Sequence, residues 1–254
     1  MSDIFRLDGK LALVTGSSQG IGHALLSGLA AQGAIPVVNN RNAERTAAAV
    51  KAFEEQGIKA YAAPFDVTDK HAVEDGINAI EETVGPIEIL INNAGIQYRS
   101  PLEDFPEEQW HRLLDTNITG VFLTAQAVAR HMIKRGSGKI INICSVQSEL
   151  ARPGIAPYTA TKGAVRNLTR GMCTDWAKYG LQINGIAPGY FKTPLNQALV
   201  DNPEFSAWLE NRTPARRWGN VEELVGAAVF LASPASSFVN GHVLAVDGGI
   251  TVSV

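Results

Sequence analysis

Cysteine is scarce: Cys144 and Cys173 are the only two in 254 residues. They share no metal-ligand or redox-motif spacing, so the chain is neither a disulfide-stapled scaffold nor a cysteine-based zinc module, and both read as core thiols of a reducing compartment. A basic excess is also lacking, the net charge being −3, and a surface that neutralises nucleic-acid phosphates needs one. No apolar run approaches the roughly 18 residues of a membrane span. The opening MSDIFRLDGK carries no apolar stretch of the secretory type, and a cytoplasmic protein is expected. The five histidines, His23, His71, His111, His131 and His242, share no ligand spacing with one another or with cysteine, so no metal is expected.

What is present is a chain with 45% hydrophobic and 19% charged residues, enough to bury a sizeable core. Leu11-Ala12-Leu13-Val14 is a continuous apolar run, the form of a parallel strand covered on both faces. Further strands are predicted at 35–38, 60–63, 87–91, 139–143, 182–186 and 243–246. Helical spacing runs through Ile21, Ala24, Leu25, Gly28 and Leu29, then over 44–56, 70–84, 107–134, 158–178 and 221–232. Such alternation implies an α/β fold, a single Rossmann-type doubly wound parallel sheet with helices on both faces. No linker or low-complexity stretch divides it, so one domain over 1–254 is expected. Residues 193–217, with three prolines, break the rhythm and read as a lid over a site.

Between the first strand and first helix lies Thr15-Gly16-Ser17-Ser18-Gln19-Gly20-Ile21-Gly22. Glycines there allow a tight turn and let the backbone approach a pyrophosphate at the helix N-terminus. Gly16, Ser18, Gln19, Gly20, Ile21 and Gly22 are therefore candidate dinucleotide contacts. The second strand ends in Asn39-Asn40-Arg41. No carboxylate stands there to engage an adenosine 2′-hydroxyl, while Arg41 offers a charge-assisted contact to a 2′-phosphate. NADP(H) is favoured and NAD(H) left open. Asp66 and Val67 follow the third strand, where Asp66 suits the adenine amino group and Asp69 suits a helix cap. The small residues Asn93, Ala94 and Gly95 end the fourth strand and leave room for the adenine-ribose half.

Tyr158 and Lys162 lie four apart in a helical pattern and so share a face, where an ammonium favours the tyrosinate. Ser145 follows the fifth strand, at the sheet edge where open α/β folds carry ligands. Together with Asn117, Pro188-Gly189 and Val246-Asp247-Gly248-Gly249, these motifs resemble the short-chain dehydrogenases/reductases over nearly the whole chain. The resemblance implies Tyr158 as acid/base and Ser145 as the group polarising the reacting carbonyl. It implies Lys162 on the nicotinamide ribose and Asn117 holding a relay water, with Pro188, Gly189 and Thr193 flanking the nicotinamide. NADP-preferring relatives often carry a basic residue where Gln19 stands, which leaves the phosphate to Arg41. The family's common two-fold packing implies a homo-oligomer, dimer or tetramer.

Within that family, Asn93 to Arg99, Ile141 to Leu150, Asn184 to Thr193 and Asn240-Gly241-His242 resemble the gluconate 5-dehydrogenase group, which interconverts 5-ketogluconate and gluconate. Tyr98 departs from an arginine associated with the group. A sugar acid needs a cation for its carboxylate and polar groups for its hydroxyls. Arg99 is the candidate cation, and Gln147, Ser148, Glu149 and Tyr190 are candidate hydroxyl partners beside Ser145 and Tyr158. Glu149 and Arg152 can alternatively pair with each other. The competing readings are a 3-oxoacyl-carrier-protein reductase, whose docking arginines would align with Gly136 and Tyr179, with Arg135 and Lys178 only adjacent, and a non-catalytic dinucleotide-sensing or interaction module.

Overall fold

In a computed structural model that describes residues 3–253, all seven predicted strands form, each within two residues of its expected bounds: β1 Leu11–Val14, β2 Ile35–Asn39, β3 Tyr61–Ala63, β4 Ile87–Asn92, β5 Gly138–Ile143, β6 Leu181–Pro188 and β7 Val243–Val246. They join one parallel sheet in the order β3-β2-β1-β4-β5-β6-β7. The chain runs outward from β1 to β3, then returns to place β4 on the other side of β1. This reversal opens a crevice at the carboxyl ends of β1 and β4, the place where ligands bind in open α/β sheets. Residues 1, 2 and 254 of the expected domain lie outside the described residues.

Side chains alternate through the sheet because successive residues of a strand face opposite ways. Ala12 and Val14 enter one core with Val38, Ile89 and Ile141, against α1 (Gly20–Ala31), α2 (Ala43–Glu54) and α9 (Val225–Ala232). Leu11 and Leu13 enter the other with Val37, Leu90 and Ile140, against α3 (Lys70–Thr83), α5 (Gly120–Arg135) and α6 (Ala156–Trp176). Both faces are dry, which is why the strands read as unbroken apolar runs. Asp69 caps α3 as expected, its carboxylate accepting from the His71 and Ala72 amides, and Asn42 does the same for α2. On α5, Val121, Ala125 and Val128 are buried and Phe122 is 42% exposed.

Two predicted elements take a different form. The helix expected over 107–134 is α4 (Glu107–Leu114), a turn of π-helix at Asp115–Thr119, and α5. The wider turn closes with the Gly120 amide on the Asp115 carbonyl, and such bulges concentrate at functional sites. The irregular segment 193–217 is largely helical: a 3-10 turn at Pro194–Asn196, then α7 (Gln197–Val200) and α8 (Pro203–Arg212). Asn202 caps α8 through the Phe205 amide, with Pro203 in the first turn. Among the described residues no helix is long and apolar enough to cross a membrane.

Candidate active site

A cleft of about 710 Å³ runs along the carboxyl ends of β1, β4, β5 and β6. Its first wall is backbone. Gly16 and Gly20 have φ of +65° and +59°, a region that favours glycine. A Cβ on Gly22 would stand 2.5 Å from Asn93 Nδ2 and 2.7 Å from the Gly16 carbonyl. The turn is tied to β4 by Thr15, whose hydroxyl accepts from the Asn93 and Ala94 amides at 2.9 and 3.0 Å, while Asn93 Nδ2 donates back to the Thr15 carbonyl. No side chain caps α1, so its first amides stay open toward the cleft, the arrangement that receives an anion. Gln19, Ile21, Ala94 and Gly95 line the same wall. Ser18 does not: its hydroxyl accepts from Asn40 Nδ2 at 2.8 Å and braces the turn.

Asn39 has a role that the residue pattern does not reveal. It is buried, accepts from the Gly16 amide through Oδ1, and donates through Nδ2 to the Ala63 and Phe65 carbonyls. One amide thus locks the ends of β1, β2 and β3 together. Beyond it Arg41 extends into solvent, its side chain 75% exposed and 4.0 Å from Asp66. Asp66 also accepts from the Thr68 amide and hydroxyl. Val67 lines the cleft beside it, and Arg45, from the first turn of α2, joins Arg41 there. The adenosine end therefore carries two guanidiniums rather than one.

At the chemical end, Ser145 follows β5, and its Oγ accepts from the Gln147 amide at 3.1 Å. Pro157 in the first turn of α6 starts the helix that carries Tyr158 and, one turn on, Lys162. Tyr158 is half-buried in the cleft wall. Desolvation pushes its phenol up to about 12, partly opposed by a hydrogen bond with Ser145. Burial likewise pulls Lys162 down to about 8. The lysine Nζ donates to the Ile143 carbonyl at 2.8 Å and lies 5.7 Å from the Tyr158 ring centre. The expected lowering of the tyrosine pKa is thus absent in the protein alone, because withdrawal of the phenol from water outweighs the Ser145 hydrogen bond and the charge of Arg99. Cys144, packed with Val121, Val165 and Ala187, has its thiol pushed up to about 11 by burial, which disfavours the reactive thiolate.

Asn117 sits in the π turn, fully buried and off the cleft surface. Its Oδ1 accepts from the Ile96 amide, and its Nδ2 donates to the Ile96 carbonyl and the Thr161 hydroxyl, at 2.9, 3.0 and 3.1 Å. Pro188 and Gly189 close β6 into the cleft, where a Cβ on Gly189 would meet the Asp247 Cα at 2.7 Å. Thr193 lines the cleft and accepts from the Asn196 amide.

Toward the mouth stand Tyr190 and Gln147, whose Nε2 donates to the Tyr190 hydroxyl at 3.3 Å. Tyr190 packs against Phe205, Trp208 and Trp218, with ring centres 5.8, 6.4 and 6.0 Å away. α8 therefore rests on the site through aromatic rings. Arg99 is exposed at the rim and donates to Gln97 Oε1. Glu149 pairs with Arg166 at 3.1 Å, not with Arg152, and Arg152 lines the cleft. The later arginines are structural: Arg212 holds Ser253, Arg216 holds Asn211 and Arg217 holds Glu223. Among the described residues no group of three or more His, Cys, Asp or Glu is placed to hold a metal.

A profile of the short chain dehydrogenase family matches residues 10–204. The gluconate 5-dehydrogenase of Gluconobacter oxydans is 66% identical over 252 residues, covering 99% of this chain and 98% of that protein. The 5-keto-D-gluconate 5-reductase of Escherichia coli is 56% identical over 254 residues, all of both chains. The crystal structure of a gluconate 5-dehydrogenase from Burkholderia cenocepacia, in complex with NADP and tartrate, superposes with a TM-score of 0.98 at 62% identity, covering 99% of each chain. On its sheet order, its motifs and these likenesses, the chain belongs to the short chain dehydrogenase family.

Proposed function

We propose that this protein is an NADP(H)-dependent oxidoreductase that interconverts 5-keto-D-gluconate and D-gluconate in sugar-acid metabolism. The observation that carries the reading is one cleft with guanidiniums at both ends and the Ser145–Tyr158–Lys162 group between them. Relatives along the full chain bear that activity in their names, and one was crystallised with NADP and a hydroxy-acid. The turn at Gly16–Gly22, the open α1 N-terminus and the small wall of Asn93, Ala94 and Gly95 fit a dinucleotide. Arg41 and Arg45 fit its 2′-phosphate, and Asp66 and Val67 its adenine. Pro188, Gly189 and Thr193 would hold the nicotinamide half, which when bound supplies or accepts the hydride.

In reduction, Tyr158 is neutral and donates its proton to the carbonyl oxygen of the substrate. The Ser145 hydroxyl donates a hydrogen bond to the same oxygen and polarises it. In oxidation the same two groups act in reverse, Tyr158 taking the alcohol proton. Lys162 supplies the positive charge and holds the ribose. Both side-chain groups of Asn117 are spent on Ile96 and Thr161, so a water relaying protons between Lys162 and solvent would be held by its main-chain carbonyl. Gln147 and Tyr190 meet substrate hydroxyls and Arg99 meets its carboxylate, while 193–217 serves as a lid. The carrier-protein reading loses support because Arg135 is tied to Glu81 and the Ile87 carbonyl at 2.6 and 2.8 Å. A homo-oligomer in the cytoplasm, where two free cysteines stay reduced, completes the reading.

The test is NADPH oxidation by the purified protein with 5-keto-D-gluconate, compared with an acetoacetyl thioester. Turnover of the keto-acid is expected. Turnover of the thioester alone would overturn the substrate assignment.

A further inference from the structure

The expected partner of Arg152 is engaged elsewhere, since Glu149 holds Arg166 at 3.1 Å. Among the described residues Arg152 has no carboxylate within 4 Å. Its Nε is buried without a hydrogen-bond partner, and so is Gln147 Oε1 nearby in the cleft wall. A buried donor without an acceptor is costly, and the cost is explained if a ligand supplies the acceptor.

The guanidinium is nonetheless held in place. It lies over the Phe205 ring, 5.4 Å from the centre, an arrangement that fixes its plane. Its charge and hydrogen bonding also oppose the upward shift that burial imposes on the Tyr190 phenol. Arg99 is close enough that Arg152 acts with burial to lower its pKa. The like charges repel, and an anion bound by both turns them into partners. The planar fork of arginine matches a carboxylate through two parallel hydrogen bonds.

We propose that Arg152, steadied by Phe205 of α8 and Tyr190, is the residue that selects substrates by binding their carboxylate, with Arg99 as its rim partner. This rests on the sugar-acid reading and moves the principal carboxylate contact from Arg99 to Arg152. The preferred substrate is a polyhydroxy ketone with a carboxylate at one end. A neutral ketose leaves both cations uncompensated.

The test compares wild type, Arg152→Met and Arg152→Lys. With 5-keto-D-gluconate, Arg152→Met should raise KM by about 10- to 100-fold, the range of a charged hydrogen-bonded contact, with kcat little changed. Arg152→Lys should fall between, keeping the charge and losing the fork. NADPH affinity, read by nucleotide fluorescence, should not move. Independently of turnover, calorimetry on the NADPH-loaded protein, in which gluconate has no hydride acceptor, should show gluconate affinity lost in Arg152→Met, and affinity for D-glucitol, its carboxylate-free counterpart, unchanged. Equal gluconate affinity in wild type and Arg152→Met, gluconate binding in neither, or parallel loss of both ligands overturns the proposal. If wild type binds gluconate through Arg152 but does not reduce 5-ketogluconate, the reaction assignment fails and the carboxylate site stands.

Discussion

The two ends of the cleft are made of different material. The adenosine end is main chain and short side chains locked to strand ends: glycines in left-handed conformations, Thr15 bridging β1 to β4, and buried Asn39 joining three strands. The substrate end is long side chains, Arg152, Gln147 and Tyr190, resting on aromatic rings from α8. Parts made of backbone tolerate little change and serve any substrate with the same cofactor. Parts made of side chains on a packed helix can be exchanged without disturbing the sheet. Chemistry sits between the two, on β5 and α6, where the fold is rigid enough to aim it.

The largest effect should come from that middle region. Tyr158→Phe removes the proton donor and nothing that touches the adenosine end, so kcat should fall by roughly 10²- to 10⁴-fold with NADPH affinity intact. A matching loss of nucleotide binding would show that the two ends are not separable. The next test strikes the backbone end. In Gly22→Ala the new methyl meets Asn93 Nδ2 and the Gly16 carbonyl inside 3 Å, and main chain cannot step aside. A stability loss of about 1–3 kcal/mol in urea, with nucleotide binding lost, is expected. Gly171→Ala on α6, where nothing lies within 4 Å of the added atom, should instead stabilise by about 0.5–1 kcal/mol.

This asymmetry also explains what can be read from the residues alone. The strands are legible because both faces are buried, and the Gly16–Gly22 turn because backbone geometry demands glycine at set spacings. Tyr158 and Lys162 are legible through one helical turn, and Ser145 through its place after a strand. Arg152 is not, because its local neighbour Glu149 offers a plausible partner and its true environment, Phe205, is remote in sequence. Arg45 is hidden in the same way by its helix, and Asn39 by its polarity, which suggests a loop rather than a buried lock. The π turn at Asn117 escapes because one extra residue leaves the apolar spacing of the flanking helices intact. Nor does i, i+4 spacing reveal the direction of the Tyr158 shift, which burial of the phenol sets against the Ser145 hydrogen bond and the charge of Arg99.

A smaller effect should sharpen the contrast from the adenosine side. Arg41 is mostly exposed, and Asp66 stands 4.0 Å away, so water and that carboxylate both weaken its hold on a phosphate. Arg41→Ala should raise the KM for NADPH by about tenfold and leave that for NADH alone. Arg45→Ala should do the same by a lesser factor, and the double variant should use both nucleotides alike. A single variant that already abolishes the preference would mean that one arginine carries the contact.

The smallest effect tests the burial of the middle region through pH. Lys162 sits near 8 instead of its ordinary 10.5, so between those values the unfolded chain binds the proton more tightly than the folded one. Stability must then climb with pH across that window, by at most about 1.4 kcal/mol per unit for one proton. Below pH 8 both states are protonated and the penalty is constant. Tyr158 acts oppositely: its raised pKa makes the folded state keep a proton that the unfolded chain releases above 10, so its contribution falls with further alkalinity. Lys139, also drawn down to about 8 by burial, and Cys144, pushed up to about 11, titrate in overlapping ranges. The decisive quantity is therefore the difference in urea-unfolding stability between wild type and Lys162→Met, followed from pH 7 to 10. It should rise toward wild type above pH 8. Parallel curves would mean that water reaches the ammonium from the cleft, and that nucleotide binding, rather than the fold, dries the reacting groups.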